Sequence, residues 1–120
     1  MPHLSLEYSN QLSGFDAAAA LLTLNRVLLA SGEFEELDIK SRAIAFSSYL
    51  IGTQTQGHAF VHLKLALLSG RSAAIKHQLS EQLLQALQQT CVWPPAIQVQ
   101  LCVEIIEIER ASYSKVTISN

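Results

Sequence analysis

Apolar and polar residues alternate along several stretches of the chain, and alternation is typical of a strand that buries one face. The predicted strands cover residues 2–8, 39–48, 59–68 and 97–109. In the first, Leu4 and Leu6 share one face, while His3, Ser5 and Glu7 share the other. In the third, the residues predicted to point inward are Val61, Leu63, Leu65 and Leu67.

The last predicted strand changes phase near its end. Its apolar face runs through Val99, Leu101, Val103 and Ile105, and then shifts to Ile106 and Ile108. A shift of this kind predicts a bulge, or a strand end that passes into a different packing environment.

Two helices are predicted between these strands. Residues 17–30 are rich in Ala and Leu, the strongest helix formers, and follow Asp16 or Ser13 as the capping residue. Gly32 closes this helix in a left-handed conformation. The second helix starts after Ser72 and ends at Trp93-Pro94-Pro95, because proline cannot continue a helix. Its apolar stripe is Ile75, Leu79, Leu83, Ala86 and Leu87.

The order is strand, helix, strand, followed by the same three elements again, which indicates an internal duplication. We therefore predict one α+β domain over residues 1–120, made of two βαβ units on a four-stranded sheet with both helices on one face. The repeats cover about 2–48 and 58–109. Residues 111–120 form a polar tail that is either loosely held or reaches a partner. The other sheet face is predicted to be open in the single subunit and to be covered by further subunits in an oligomer.

Composition supports an oligomer, because only 15% of the residues are charged and 49% are hydrophobic, whereas about 25% are charged in typical domains. A net charge of −2 gives no reason to expect nucleic acid or an acidic membrane surface as a partner. No basic start, apolar signal run or membrane-spanning stretch is present, so we expect a soluble cytoplasmic protein.

Cys91 and Cys102 have no metal-ligand spacing and are interpreted as buried thiols of a reducing compartment.

Pro2 is the first candidate for chemistry. Proline has no amide hydrogen for a strand ladder and is tolerated at a first strand position, which is the simple structural interpretation. If Met1 is cleaved, however, the Pro2 nitrogen becomes a free secondary amine. Such a group titrates near pH 8, and burial or nearby cations lower its pKa towards neutrality. Pro2 would then exchange protons at physiological pH.

Three basic residues are the candidate anion binders. Lys40 and Arg42 project from one face of the second predicted strand, together with Ile44 and Phe46. Arg71 directly precedes a capped helix start, where free amides and the helix dipole favour an anion. A guanidinium there can hold a carboxylate through two parallel hydrogen bonds. Each of these residues is individually also compatible with an ordinary surface role.

The remaining polar residues form no recognisable catalytic pattern. The four histidines do not have the spacing of metal ligands: they are His3, His58, His62 and His77. No metal site, phosphate loop or Ser/His/Asp order is predicted.

Several short motifs resemble the 5-carboxymethyl-2-hydroxymuconate isomerase family of the tautomerase superfamily, in matching order from Pro2 to about Glu109. They are Pro2-His3 with Glu7-Tyr8-Ser9, Ile39-Lys40-Ser41-Arg42, Ala59-Phe60-Val61-His62 and Gly70-Arg71-Ser72. The resemblance implies a homotrimer of duplicated βαβ subunits that needs no metal or cofactor. It also implies that Pro2 is the proton carrier.

The same resemblance implies that Arg42 and Arg71 bind a substrate carboxylate and stabilise a developing enolate. Lys40 stands where the family pattern usually has arginine. The positive charge is therefore kept, but the planar guanidinium that can make two parallel hydrogen bonds is lost. The implied reaction is proton transfer within an unsaturated hydroxy or oxo di- or tricarboxylate. Two alternatives remain open: a tautomerase-fold trimer that binds a small carboxylate without turnover, and a small-molecule-sensing module of ferredoxin-like topology.

Overall fold

The computed structural model describes residues 1–120 and contains two βαβ units in succession. The elements are β1 His3–Ser9, α1 Ala17–Ala30, β2 Lys40–Phe46, β3 His58–Leu68, α2 Ala73–Gln88 and β4 Gln98–Ile108. Two short 3-10 turns, Glu36–Asp38 and Arg110–Ser112, precede β2 and follow β4. Neither helix is long and apolar enough to cross a bilayer.

The four strands form one sheet in the order β2-β1-β3-β4. Within each unit the strands are parallel, β1 with β2 and β3 with β4, whereas the two central strands β1 and β3 pair antiparallel. Both helices lie on one face of this sheet, so the predicted α+β architecture is confirmed. The boundaries of the two repeats remain a prediction.

Alternation along the central strands generates the core between sheet and helices. Leu4 and Leu6 of β1 are buried, and so is every second residue of β3 from Ala59 to Leu67. The helices meet them with one stripe each, at four-residue spacing: Ala20, Leu24 and Leu28 on α1, and Leu79, Leu83 and Leu87 on α2. Each fully buried leucine contributes about 1.5–3 kcal/mol of transfer free energy.

The helix starts follow the predicted capping chemistry. The Asp16 carboxylate accepts from the Ala19 amide at 3.1 Å, and the Ser72 hydroxyl accepts from the Ile75 amide at 3.2 Å. Gly32, with φ of 77°, ends α1 in the left-handed region as predicted. Helix α2 ends at Gln88, before Trp93, so the predicted end was too late; the Trp93 indole donates to the Gln88 carbonyl at 2.9 Å.

Of the two alternatives predicted for the phase change in the last strand, the bulge is excluded and the change of packing environment at the strand end is what the structure has. Every residue of β4 from Gln98 to Ile108 pairs in register with one residue of β3, with no extra residue in either strand. Val99 to Ile105 pack on the core at alternate positions, whereas Ile106 pairs with Ala66 on the opposite face. The change of phase therefore marks apolar residues on the open face.

The sheet face opposite the helices is uncovered in the subunit. It carries an ionic cluster in which the Glu104 carboxylate lies 2.9 Å from His62 Nε2, and Glu7 lies 3.7 Å from Lys64 Nζ. Ile44 and Ile106 are 57% and 40% exposed there.

The cysteines are not both buried, contrary to the prediction. Cys91 is half-buried, and this burial raises the pKa of its thiol. Cys102 is exposed because it lies on the uncovered face of β4, where it pairs with His62 of β3. The prediction assigned Cys102 to the interior without knowing which face of β4 it occupies.

Candidate active site

Pro2 lies immediately before β1, with its ring buried. The strand starts at His3 and not at Pro2, because proline has no amide hydrogen to donate to a ladder. The Pro2 carbonyl nevertheless accepts from the Lys40 amide at 3.1 Å, which fixes the N-terminus beside the start of β2. With Met1 attached, the Pro2 nitrogen is a planar amide and has no basic lone pair.

The chain's N-terminal amine is surrounded by charged groups. The Met1 ammonium lies 3.6 Å from one carboxylate oxygen of Asp38, whose other oxygen accepts from Lys115 Nζ at 2.8 Å. Lys40 Nζ donates to the Asp38 backbone carbonyl at 2.6 Å and lies 4.0 Å from the Met1 sulfur. Burial lowers the pKa of the N-terminal amine, and Lys40 and Lys115 lower it further, while Asp38 acts in the opposite direction.

Met1 lines an open cleft of about 390 Å³ at this end of the sheet. The other lining residues come from the loop after α1 and from the ends of β3 and β4: Gly32, Glu33, Phe34, Glu35, Asp38, Leu68, Arg71 and Arg110. The N-terminus and Arg71 therefore share one cleft within a single subunit.

Arg71 is held in place by the loop that follows α1. Its Nε donates to the Glu33 carboxylate and its Nη2 to the Glu33 carbonyl, both at 2.9 Å. The guanidinium lies 4.7 Å from the centre of the Phe34 ring, a distance typical of a cation–π contact. Only Nη1, 3.5 Å from the Leu68 carbonyl, makes no short hydrogen bond. In the free subunit Glu33 therefore accepts hydrogen bonds from two of the three nitrogens of the guanidinium that was predicted to bind an anion.

Arg110 is a second arginine in the cleft, and the sequence did not predict it. Its Nε and Nη2 donate to the Ser69 carbonyl at 3.2 and 3.1 Å, which leaves Nη1 without a hydrogen bond. Arg71 follows β3 and Arg110 follows β4. Because these strands are parallel and in register, both arginines leave the sheet at the same edge. Gly70, with φ of 125°, allows the sharp turn between the end of β3 and Arg71.

Lys40 and Arg42 project from the same face of β2, as predicted. This is the open face of the sheet, because they pair with His3 and Ser5 of β1. Lys40 stays near Met1, whereas Arg42 does not line the cleft of this subunit. Its Nη2 lies 2.7 Å from His3 Nδ1, and His3 Nε2 lies 2.9 Å from the Tyr113 hydroxyl. Burial lowers the pKa of His3, and the positive charges of Arg42 and Lys40 add to this effect.

Comparison with known proteins assigns the family. The family model described as 5-carboxymethyl-2-hydroxymuconate isomerase matches residues 2–120. The chain belongs to this isomerase family. No protein of curated function matches it in a sequence comparison.

Solved structures agree with the family assignment. A 5-carboxymethyl-2-hydroxymuconate isomerase from Deinococcus radiodurans R1 is 31% identical, with a TM-score of 0.84 over 98% of this chain and 90% of that one. A 5-carboxymethyl-2-hydroxymuconate delta-isomerase shares the fold at 22% identity, with a TM-score of 0.83 over 98% and 89% of the two chains. A fused 4-OT symmetric trimer also shares the fold, at 16% identity and a TM-score of 0.72 over 94% and 90%.

Within this isomerase-family subunit, the structure brings only some of the predicted site residues together. Met1, which is bonded to Pro2, lines the cleft that contains Arg71, whereas Pro2 itself is buried behind it. Lys40 lies beside Met1. Arg42 does not line this cleft and contacts His3 on the open face of the sheet instead. No group of three His, Cys, Asp or Glu side chains is arranged to hold a metal ion.

Proposed function

We propose that this protein catalyses keto–enol tautomerisation of an unsaturated hydroxy or oxo di- or tricarboxylate such as 5-carboxymethyl-2-hydroxymuconate. The reaction would need no metal or cofactor and would belong to aromatic-compound breakdown in the cytoplasm. Family membership supports the isomerase chemistry. The observation that carries the proposal is that Met1, bonded to Pro2, lines the same cleft as Arg71 and Arg110.

Pro2 would be the acid–base group once Met1 has been removed. Its neutral nitrogen would take the proton from the enol hydroxyl as the oxygen becomes a carbonyl. The resulting ammonium would then return a proton to the far carbon of the conjugated system, so the proline ends as it began. Burial and the positive charges of Lys40 and Lys115 lower the pKa of the Met1 amine. The same effects would favour the neutral form of the Pro2 nitrogen once Met1 has been removed.

Arg71 and Arg110 are proposed to bind the substrate carboxylates. Each has a nitrogen, Nη1, that no short hydrogen bond occupies, and both reach the cleft from the same sheet edge. A guanidinium near the reacting oxygen stabilises the negative charge that develops as the proton leaves. Lys40, near Met1, would contribute charge to the same end of the cleft.

A homotrimer is proposed to complete the site. The open sheet face presents the exposed Ile44 and Ile106, and the low charged fraction is typical of a chain with a covered surface. Arg42 lies on this face and would serve a cleft formed between subunits. The solution mass should be three times the 13.2 kDa of one chain, and a 13.2 kDa species at assay concentration would contradict this assembly.

A second candidate function is a trimer that binds a small carboxylate without turnover. It is favoured by one observation, namely that Glu33 already neutralises Arg71. The test is a ketonisation assay on 5-carboxymethyl-2-hydroxymuconate, using a sample whose intact mass shows that Met1 is absent. Turnover that exceeds the buffer rate supports the isomerase. Thermal stabilisation by the substrate with no turnover would instead support the binding protein.

A further inference from the structure

The C-terminal tail returns to the N-terminus of its own subunit. After β4 and the turn Arg110–Ser112, the Tyr113 hydroxyl lies 2.9 Å from His3 Nε2. Two residues later, Lys115 Nζ donates to Asp38 at 2.8 Å. The tail therefore contacts the chain on both sides of Pro2, at His3 directly and at Met1 through Asp38.

Lys115, Asp38 and the N-terminal amine form a continuous ionic chain. One carboxylate oxygen of Asp38 faces Lys115 and the other faces the amine, at 2.8 and 3.6 Å. The Asp38 and Lys115 side chains are only about one-third exposed, at 34% and 32%, so solvent screens their charges incompletely. The electrostatic effect of Asp38 on the Met1 amine therefore depends on whether Lys115 is paired with Asp38.

We propose that Lys115 is a positioning residue for the acid–base site: by pairing with Asp38 it holds that carboxylate beside the N-terminus and offsets its negative charge. This inference rests on the proposed role of Pro2. Without Lys115, the free Asp38 carboxylate would attract a proton to the Pro2 nitrogen. A larger fraction of the enzyme would then be protonated and unable to act as the base at a given pH.

The other charges near the N-terminus come from several elements and stay in place when Lys115 is changed. Lys40 of β2 approaches Met1, and Arg42 of the same strand contacts His3 of β1. The cleft adds two cations and two further carboxylates: Arg71, Arg110, Glu33 and Glu35. Lys115, from the tail, is the one lysine whose side chain pairs with the Asp38 carboxylate beside the N-terminal amine.

The direct experiment follows the Pro2 nitrogen by NMR in protein labelled with ¹⁵N-proline and shown by intact mass to lack Met1. The pH titration is compared for wild type, Lys115→Met and Lys115→Arg. We expect the midpoint to move to higher pH in Lys115→Met and to return in Lys115→Arg. In parallel, kcat/KM on the acid side of the pH profile should fall about threefold in Lys115→Met, the change that a shift of about half a pH unit produces.

Two controls separate charge from tail anchoring. Tyr113→Phe removes the tail contact to His3 but keeps Lys115, so its Pro2 titration should match wild type. Lys76→Met removes another partly exposed lysine, which pairs with Glu107 at 3.2 Å away from the cleft, and should also match. An unchanged midpoint in Lys115→Met, or an equal shift in Tyr113→Phe, would overturn the proposal. The NMR shift needs no turnover, so a shifted midpoint in an inactive protein supports the role of Lys115 while refuting the isomerase function.

Discussion

Glu33 should weaken substrate binding, because its carboxylate occupies the guanidinium that is proposed to receive a substrate carboxylate. The informative change is Glu33→Gln. Glutamine has nearly the same shape and can still accept the hydrogen bond that Arg71 Nε donates at 2.9 Å. The substitution therefore removes one negative charge from the cleft and leaves Arg71 in position.

The size of the effect follows from the geometry. A substrate carboxylate bound to the same guanidinium would lie roughly 6 Å from the Glu33 carboxylate, where two like charges repel by about 0.7 kcal/mol in water and about 3 kcal/mol at an effective dielectric constant of 20. Glu33 and Arg71 are 31% and 21% exposed, so a value near the lower end, about 1 kcal/mol, is appropriate. This predicts a KM about fivefold lower in Glu33→Gln.

The assay is steady-state ketonisation at low and high salt, with Glu36→Gln as the control. Glu36 is an exposed acid of the same loop that does not line the cleft, so this variant changes the net charge equally. The lower KM should be confined to Glu33→Gln and should diminish at high salt, because salt screens the repulsion. A KM that is unchanged or higher in Glu33→Gln would refute the view that Arg71 receives the substrate.

Three further predictions concern stability and assembly. Leu24→Ala should lower the unfolding free energy by about 2–5 kcal/mol in urea titrations, whereas Leu22→Ala should cost about 1 kcal/mol or less, since Leu24 is fully buried and Leu22 is 52% exposed. The hydrogen bond from Lys115 and the charge of the N-terminal amine lower the pKa of Asp38, so its stabilising contribution is present above about pH 4 and is lost as pH falls through the folded-state pKa. The stability difference between wild type and Asp38→Asn, measured by thermal melting, should therefore shrink on acidification, and a constant difference would exclude this linkage. Ile44→Asp should dissociate the proposed trimer in sedimentation experiments, and an unaffected mass would show that Ile44 is outside the interface.

The features that the sequence predicted correctly are those that depend on neighbouring residues. Alternation in β1 and β3 sets which side chains are buried, and the caps Asp16 and Ser72 act within their own first helical turn. The phase change in β4 left two alternatives open for a related reason. A local pattern does not distinguish a bulge from an apolar residue such as Ile106 that faces the uncovered side of a regular strand.

The features that the sequence did not predict depend on pairing between distant elements. Arg110 shares a cleft with Arg71 only because β3 and β4 are parallel and in register. The occupation of Arg71 by Glu33 and the contact of Lys115 with Asp38 join residues 38 and 77 positions apart. The local periodicity of apolar residues contains no information about contacts between such distant positions.

The central claim is that an uncapped Pro2 nitrogen transfers the proton. It is tested most directly by treating one sample that retains Met1 with a methionine aminopeptidase, while intact mass and the ketonisation rate are followed together. The account predicts that the rate rises in proportion to the fraction of chains that begin at Pro2 and extrapolates to the buffer rate when every chain keeps Met1. Full activity in chains that retain Met1 would contradict it, because an amide nitrogen cannot act as the base.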